Sequence, residues 1–207
     1  NSTKKVTLKN MIDHSRSVRL GVKQSLMVVD MPYNTYNSNN SAFQNAKKIL
    51  KKTKCDAVKL EGGKKIINQI KYLIKKKIPV MGHLGLLPQT AKGKFKSKGK
   101  STRETKQLIK DALLLQSNGV FAIVLECVKA STAKKITQSL KIPTIGIGSS
   151  VYCDGQVLVT DDLIGLNNTK IKFVKKFINI KKYINLGLKK FSNEVRSKKY
   201  PTKKYSY

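Results

Sequence analysis

Cysteine, histidine and tryptophan are scarce in this chain of 207 residues, which has three cysteines, two histidines and no tryptophan. The cysteines Cys55, Cys127 and Cys153 are odd in number, and no two of them form a Cys-x-x-Cys pair. Neither a zinc site built on cysteine pairs nor a disulfide framework is therefore indicated. We expect three free thiols in a reducing compartment.

Long hydrophobic runs are also missing. No stretch approaches the ~18 consecutive apolar residues that a membrane span needs, so no membrane segment is predicted. The amino-terminal sequence NSTKKVTLKN has no apolar core and no small-residue cleavage site, and it does not resemble a signal peptide. It also lacks an initiator methionine. We expect a cytoplasmic protein of which this chain is a fragment.

Acidic residues are few, since 11 Asp and Glu stand against 43 Lys and Arg and give a formal net charge of +32. Such a balance is typical of nucleic-acid binders, because basic side chains release counterions from phosphates. However, only four of the basic residues are arginines, and the lysines are spread along the chain instead of forming one stripe. We therefore expect no specific nucleic-acid binding, only weak, salt-sensitive adhesion to polyanions.

The chain does contain a regular alternation of two patterns. Short apolar runs between turn residues, rich in β-branched side chains, predict buried parallel strands. These runs are residues 25–32, 56–63, 78–85, 121–128, 142–149 and 155–162. Segments with apolar residues at helical spacing predict helices around them. These segments are 6–21, 40–52, 64–77, 102–119 and 131–141, with two more helices from residue 170 onward and with Gly21 and Gly119 as C-caps.

Alternating strands and helices predict an α/β protein with a parallel sheet, either an open doubly wound sheet or a (β/α)8 barrel. The length suits a single catalytic domain over residues 1–207. Within it, we predict a partial barrel over 1–165 and C-terminal helices over 166–207. A helix precedes the first predicted strand, which indicates that earlier β/α units are absent from this chain.

Four predicted strands end on a side chain that can transfer a proton or bind a metal ion. These side chains are Asp30, Glu61, His83 and Glu126. Ligands bind at the carboxyl ends of parallel strands, so these side chains should converge on one pocket. Lys59 lies two residues before Glu61, and the two-residue repeat of a strand puts both on one face. The alternative is a separate capping role for each acid. Because acids are so rare in this chain, a common site is favoured.

Crowded carboxylates repel one another, and a divalent cation relieves that repulsion. Carboxylate oxygens are ligands that suit Mg²⁺. The sequence therefore predicts a magnesium site near these strand ends, with His83 in the lining of the pocket.

Six short segments, in this order and spacing, resemble the ketopantoate hydroxymethyltransferase family. They are VVDMPY, VKLEGG, PVMGHLGLLPQT, AIVLECV, IPTIGIGS and CDGQVLV. The resemblance implies a (β/α)8 TIM barrel of the phosphoenolpyruvate-mutase and isocitrate-lyase-like type, here without roughly its first two β/α units, and a homodecamer at full length. It also implies transfer of a hydroxymethyl group from 5,10-methylenetetrahydrofolate to 3-methyl-2-oxobutanoate, a step of pantothenate and coenzyme A biosynthesis.

The resemblance also implies a role for each of the five side chains. Asp30 would bind Mg²⁺ and contact the substrate, Glu61 would bind the metal, and Lys59 would hold the keto acid. Glu126 would be the catalytic proton acceptor as an enolate forms, and His83 would have a supporting role.

Two departures from the family's pattern stand out. The family's GDS segment, which supplies a further metal-binding Asp and a substrate-binding Ser, is not in this sequence, and segment 90–100 is shorter and richer in lysine. We expect the altered segment to change closure over the substrate. Two other interpretations stay open: a related barrel lyase or mutase acting on 2-oxo acids, and a non-catalytic remnant. The first lacks its usual cysteine loop, and the intact acids and Lys59 argue against the second.

Overall fold

The structure is a computed structural model that describes residues 3–91, 96–168 and 170–207. The chain divides into two compact units, Asn1–Val157 and Leu158–Tyr207. All predicted site residues lie in the first unit. Within the described ranges, no helix has the length and apolar character needed to cross a bilayer.

The first unit is built on one sheet of six strands that are hydrogen-bonded in chain order. The strands are β1 Val28–Asp30, β2 Ala57–Glu61, β3 Val80–Gly85, β4 Ala122–Glu126, β5 Thr144–Ile147 and β6 Gly155–Gln156. All neighbours pair in parallel. A doubly wound sheet reverses its strand order at a switch point, and no such reversal occurs among the described strands. The order is that of a barrel wall.

Helices connect the strands as predicted. Those of the first unit are α1 Leu8–Gly21, α2 Asn39–Thr53, α3 Ile67–Lys75, α4 Thr102–Ser117 and α5 Ala130–Ser139. Those of the second unit are α6 Thr160–Leu163 and α7 Ile180–Arg196. Polar side chains start the longer helices. Thr7 and Ser38 form capping boxes before α1 and α2, and the Ser101 side chain accepts a hydrogen bond from Glu104 N before α4.

The second unit differs from the prediction of two helices beyond residue 170. It has one long helix there, α7, followed by the short 3-10 helix Lys203–Tyr205. Helix α7 starts where the Asn179 side chain accepts a hydrogen bond from Lys182 N, so the apolar residues before Asn179 lie outside it. Apolar spacing alone does not locate such a cap.

Two further element predictions are wrong. The sixth strand is only Gly155–Gln156, because Thr160–Leu163 forms α6 with Asp161 and Asp162 in its first turn, where acids stabilise a helix. Gly21 is the last helical residue of α1, and Val22 is the C-cap. The prediction for Gly119 is confirmed in its conformation, since this residue follows the α4 cap with a positive φ of 87°.

The central strands are buried on both faces, as parallel strands covered by helices should be. On one face, Val58 of β2 and Ile123 of β4 are 0% exposed, and on the other face Ala57 and Ala122 are 1% and 4% exposed. The three cysteines are free, as predicted, and burial raises the pKa of the Cys55 and Cys127 thiols. Four residues of the lysine-rich segment, 92–95, lie outside the described residues, so its effect on closure stays a prediction.

Gly85 ends β3 and brings the backbone of two strands unusually close. Its φ is +97°, and a Cβ there would overlap the carbonyl oxygen of Glu126 and the side chain of Val128. The close approach lets Leu86 N–H donate to the Glu126 carbonyl oxygen at 2.8 Å. Thus the end of β3 fixes the backbone of Glu126.

We expect Gly85→Ala to lower the free energy of unfolding by about 2–5 kcal/mol, because a left-handed φ and a backbone overlap both penalise the methyl group. Urea unfolding followed by circular dichroism measures the change. Gly21→Ala is the matched control, because a Cβ at Gly21 meets nothing within 4 Å and alanine favours a helix. Equal unfolding midpoints for the two variants would contradict this prediction.

Candidate active site

The carboxyl ends of β1 to β4 bring the five sequence-predicted side chains to one face of the sheet. In the strand register, Asp30 is paired with Lys59 and Glu61 with His83. Glu126 lies on the next strand, two residues beyond the partner of His83. Paired residues of parallel strands, and residues two apart in one strand, share a face. The predicted common face of Lys59 and Glu61 is therefore confirmed.

Lys59 links an acid to the imidazole. Its Nζ lies 2.7 Å from Asp30 Oδ1 and 3.1 Å from His83 Nδ1. An ammonium group can only donate, so His83 Nδ1 accepts and the ring proton of the neutral imidazole lies on Nε2. The side chain of Lys59 is only 15% exposed, which strengthens its electrostatic interactions relative to those at the surface.

The other side of the His83 ring faces Glu126. His83 Nε2 lies 3.2 Å from Glu126 Oε2, but the atoms are not aligned as a hydrogen bond, and Nε2 is buried without a hydrogen-bond partner among the described residues. A small rotation of the carboxylate would let Nε2–H donate to it. The imidazole thus lies between a cation and a carboxylate, and the supporting role of His83 stays a prediction.

Glu61 is the most enclosed acid of the cluster. Burial raises the pKa of its carboxyl group, and the Gln89 N–H and the charge of Lys59 counteract this only in part. Its Oε2 accepts a hydrogen bond of 3.0 Å from Gln89 N, whereas Oε1 lies 3.9 Å from His83 Nδ1. One oxygen is therefore held by the protein backbone, and the other faces the cluster.

Gln89 is a site residue to which the sequence pattern assigned no role. Its Oε1 accepts a hydrogen bond of 2.8 Å from Tyr36 Oη, and its Nε2 donates to the Met31 carbonyl oxygen at 2.9 Å. Together with its backbone bond to Glu61, these contacts join the segment after β1, the end of β2 and the segment after β3. The only signal in the sequence was its place in the Pro-Gln-Thr turn after β3.

We expect Gln89→Leu to lower the free energy of unfolding by about 2–4 kcal/mol, because it leaves the Tyr36 hydroxyl and the Met31 carbonyl without their buried partner. Tyr36→Phe leaves only the Gln89 oxygen unpaired, so we expect a smaller loss of about 1 kcal/mol. Urea unfolding of both variants gives the comparison. A loss for Gln89→Leu no larger than that for Tyr36→Phe would contradict the network.

Asp30 and Glu61 have the chemistry of a partial Mg²⁺ site. Asp30 Oδ1 is buried and, although it lies close to Lys59, makes no hydrogen bond with described residues. Among those residues, no group of three or more His, Cys, Asp or Glu side chains is arranged to hold a metal ion. Mg²⁺ commonly binds through one or two carboxylates together with waters and substrate oxygens. The two carboxylates fit that pattern.

Sequence comparisons place these residues among known proteins. The family model of ketopantoate hydroxymethyltransferase matches residues 1–203. A curated 3-methyl-2-oxobutanoate hydroxymethyltransferase from Pelagibacter ubique (strain HTCC1062) is 65% identical over 206 residues, covering 100% of this chain and 80% of that protein. The protein of the same name from Rhizobium etli is 44% identical, covering 98% of this chain and 76% of its own length.

Solved structures give the fold. A 2,3-dimethylmalate lyase, described as a PEP mutase/isocitrate lyase superfamily member, matches with a TM-score of 0.53 and 11% identity, over 69% of this chain and 52% of that one. A putative lyase/mutase from Burkholderia cenocepacia J2315 matches with a TM-score of 0.51 and 10% identity, over 93% of this chain and 69% of that one. At such low identities, these matches show the fold alone. They confirm the predicted partial α/β barrel.

Proposed function

The chain belongs to the ketopantoate hydroxymethyltransferase family, and on that premise we propose that it converts 3-methyl-2-oxobutanoate to ketopantoate through an enolate. Its enzyme class is that of its relatives, a 3-methyl-2-oxobutanoate hydroxymethyltransferase. One observation carries the proposed mechanism. Glu126 stands apart from the Asp30 and Lys59 ion pair, on the far side of His83.

Glu126 is the proposed general base. It takes the proton from C3 of the keto acid, and the electron pair left behind forms the enolate. A base has to be held near the substrate carbon without being neutralised by a tight ion pair. Glu126 fits this need, since its side chain is 17% exposed and its near neighbour is the imidazole of His83.

Lys59 is the proposed binding group for the keto acid. Its ammonium group, on a side chain that is only 15% exposed, can donate to a substrate oxygen while it stays close to Asp30. A fixed positive charge stabilises the negative charge that develops on the keto oxygen. We assign Asp30 and Glu61 as Mg²⁺ ligands and Asp30 also as a substrate contact. When bound, the metal supplies Lewis-acid stabilisation of that same charge.

The one-carbon donor in this proposal is 5,10-methylenetetrahydrofolate. The enolate carbon bonds to the donated carbon, one water supplies the hydroxyl oxygen, and tetrahydrofolate is released. The resemblance of six ordered segments to the family supports this donor. It also supports the cytoplasm as the place of action and a homodecamer as the assembly. Light scattering of the purified protein measures the assembly.

Deuterium exchange tests the enolisation step without the donor. In deuterated water with Mg²⁺, the protein should exchange the C3 proton of 3-methyl-2-oxobutanoate, and NMR follows the loss of that signal. The metal dependence is measured by adding EDTA. A folded protein that never accelerates the exchange would overturn the proposal and leave the non-catalytic remnant as the better interpretation.

A further inference from the structure

Gln89, in the turn after β3, contacts the surroundings of both carboxylates assigned to Mg²⁺. Its N–H donates to Glu61 Oε2 at 3.0 Å. Its Nε2 donates at 2.9 Å to the carbonyl oxygen of Met31, the residue that follows Asp30. Gln89 is 6% exposed and Met31 is 0% exposed, so both hydrogen bonds are shielded from water. One side chain thus ties the strand end of Asp30 to the carboxylate of Glu61.

A tight turn fixes the direction of the Gln89 N–H. Thr90 N–H donates to the Leu87 carbonyl oxygen at 3.1 Å and closes the turn. Pro88 is the second residue of this turn, where the proline ring sets φ in advance, and Gln89 is the third. The N–H of the third residue takes no part in the hydrogen bond that closes such a turn. It is therefore the group that can donate to Glu61.

Tyr36 determines which way the Gln89 amide faces. The Tyr36 hydroxyl donates to Gln89 Oε1 at 2.8 Å, which leaves Nε2 to face the Met31 carbonyl oxygen. The reverse orientation would place Oε1 against that carbonyl, and two acceptors cannot pair. Burial raises the pKa of Tyr36, so its hydroxyl keeps its proton and stays a donor.

We propose that Gln89 is a positioning residue for the divalent-metal site and holds Glu61 and the backbone beside Asp30 in the arrangement that the ion needs. The inference rests on the proposed function, which assigns Asp30 and Glu61 as Mg²⁺ ligands. Mg²⁺ requires nearly ideal octahedral geometry, so small displacements of either carboxylate weaken its binding. With Oε2 held by Gln89, Oε1 of Glu61 is left for the ion. Gln89 itself contacts neither the ion nor the keto acid.

Binding of Mn²⁺ tests the inference without the reaction. Mn²⁺ accepts the same oxygen ligands as Mg²⁺, and its electron paramagnetic resonance signal measures the free ion, so a titration gives Kd. We expect Gln89→Leu to raise this Kd about tenfold, the lower end of the usual effect of losing an outer partner of a metal ligand. Tyr36→Phe removes only the group that orients the amide and should raise Kd about threefold. Glu61→Gln removes a ligand's charge and should weaken binding at least as much as Gln89→Leu.

Thr53→Val is the matched control. Thr53 is 1% exposed, and its hydroxyl donates to the Ile49 carbonyl oxygen at 2.9 Å and accepts from Cys55 N–H at 3.2 Å. This variant therefore also loses buried hydrogen bonds, but it does so before the amino end of β2, whereas the assigned ligands lie at the carboxyl ends. Its Kd should not change. Circular dichroism checks that each variant is folded during the titration.

Each outcome decides a stated point. Equal Kd values for the unaltered protein and Gln89→Leu would overturn the positioning role, as would an equal rise in Thr53→Val. No Mn²⁺ binding by the unaltered protein, or binding that Glu61→Gln does not weaken, would also overturn it. Binding that depends on Gln89 and Glu61, in a protein that does not exchange the C3 proton, would support the positioning role and overturn the proposed reaction. If Gln89→Leu does not fold, a Kd for Tyr36→Phe equal to that of Thr53→Val would overturn the role.

Discussion

Glu126→Gln is expected to lower the rate of C3 proton exchange by about 10²–10⁴-fold, the usual contribution of a positioned general base. Glutamine has the shape of glutamate but does not accept the proton. The backbone at this position is held by the Leu86 N–H bond and by the close approach of Gly85, which do not depend on the side chain. We therefore expect the variant to fold normally.

NMR of the substrate in deuterated water measures this effect, and circular dichroism checks that the fold is kept. Glu104→Gln is the matched control. Glu104 lies on α4, where its carboxylate accepts a hydrogen bond from Lys100 N, and the exchange rate should not change. If Glu126→Gln retained more than a tenth of the rate, another group would have to be the base.

Lys59→Met should raise the KM for the keto acid and lower kcat/KM by about 10²–10³-fold, as removal of one charge-stabilising donor does elsewhere. The substitution keeps the length and apolar body of the side chain but removes the cation that lies 2.7 Å from Asp30 and 3.1 Å from His83. The variant then loses the contact with the substrate oxygen and the positive charge that neutralises the Asp30 carboxylate.

Steady-state kinetics with saturating donor measures both constants. Lys52→Met, on the exposed side of α2, removes the same charge far from the cluster and should change neither constant. Unchanged KM with a lower kcat would indicate that Lys59 acts only in the transition state. If KM and kcat/KM are both unchanged, Lys59 does not bind the substrate.

The strand-end residues could be predicted because the physics that places them is local. A strand repeats every two residues, and parallel strands end at the same edge. Apolar runs that stop at Asp30, Glu61, His83 and Glu126 therefore suffice to place four side chains together, as the register and distances show. Their chemical roles stay predictions until the exchange and kinetic measurements are made.

The residues that sequence reasoning missed are joined by contacts between distant loops. Tyr36 and Gln89 are 53 residues apart. No periodicity relates such positions, because each contact depends on how two connecting segments pack. The short β6 has another cause, because the apolar run did not reveal that Thr160–Leu163 forms a helix.

The paired register of the site residues ties activity to the cooperativity of the sheet. Asp30 is aligned with Lys59, and Glu61 with His83, only while the ladders β1–β2 and β2–β3 are intact. A slip of one residue in either ladder would turn an entire strand's side chains to the opposite face. If these residues form the active site as proposed, we expect partly unfolded forms that have lost a ladder to be inactive. The residual activity of a partly denatured sample should then equal the fraction of molecules whose sheet is intact. It would not reflect a uniform loss of activity in every molecule.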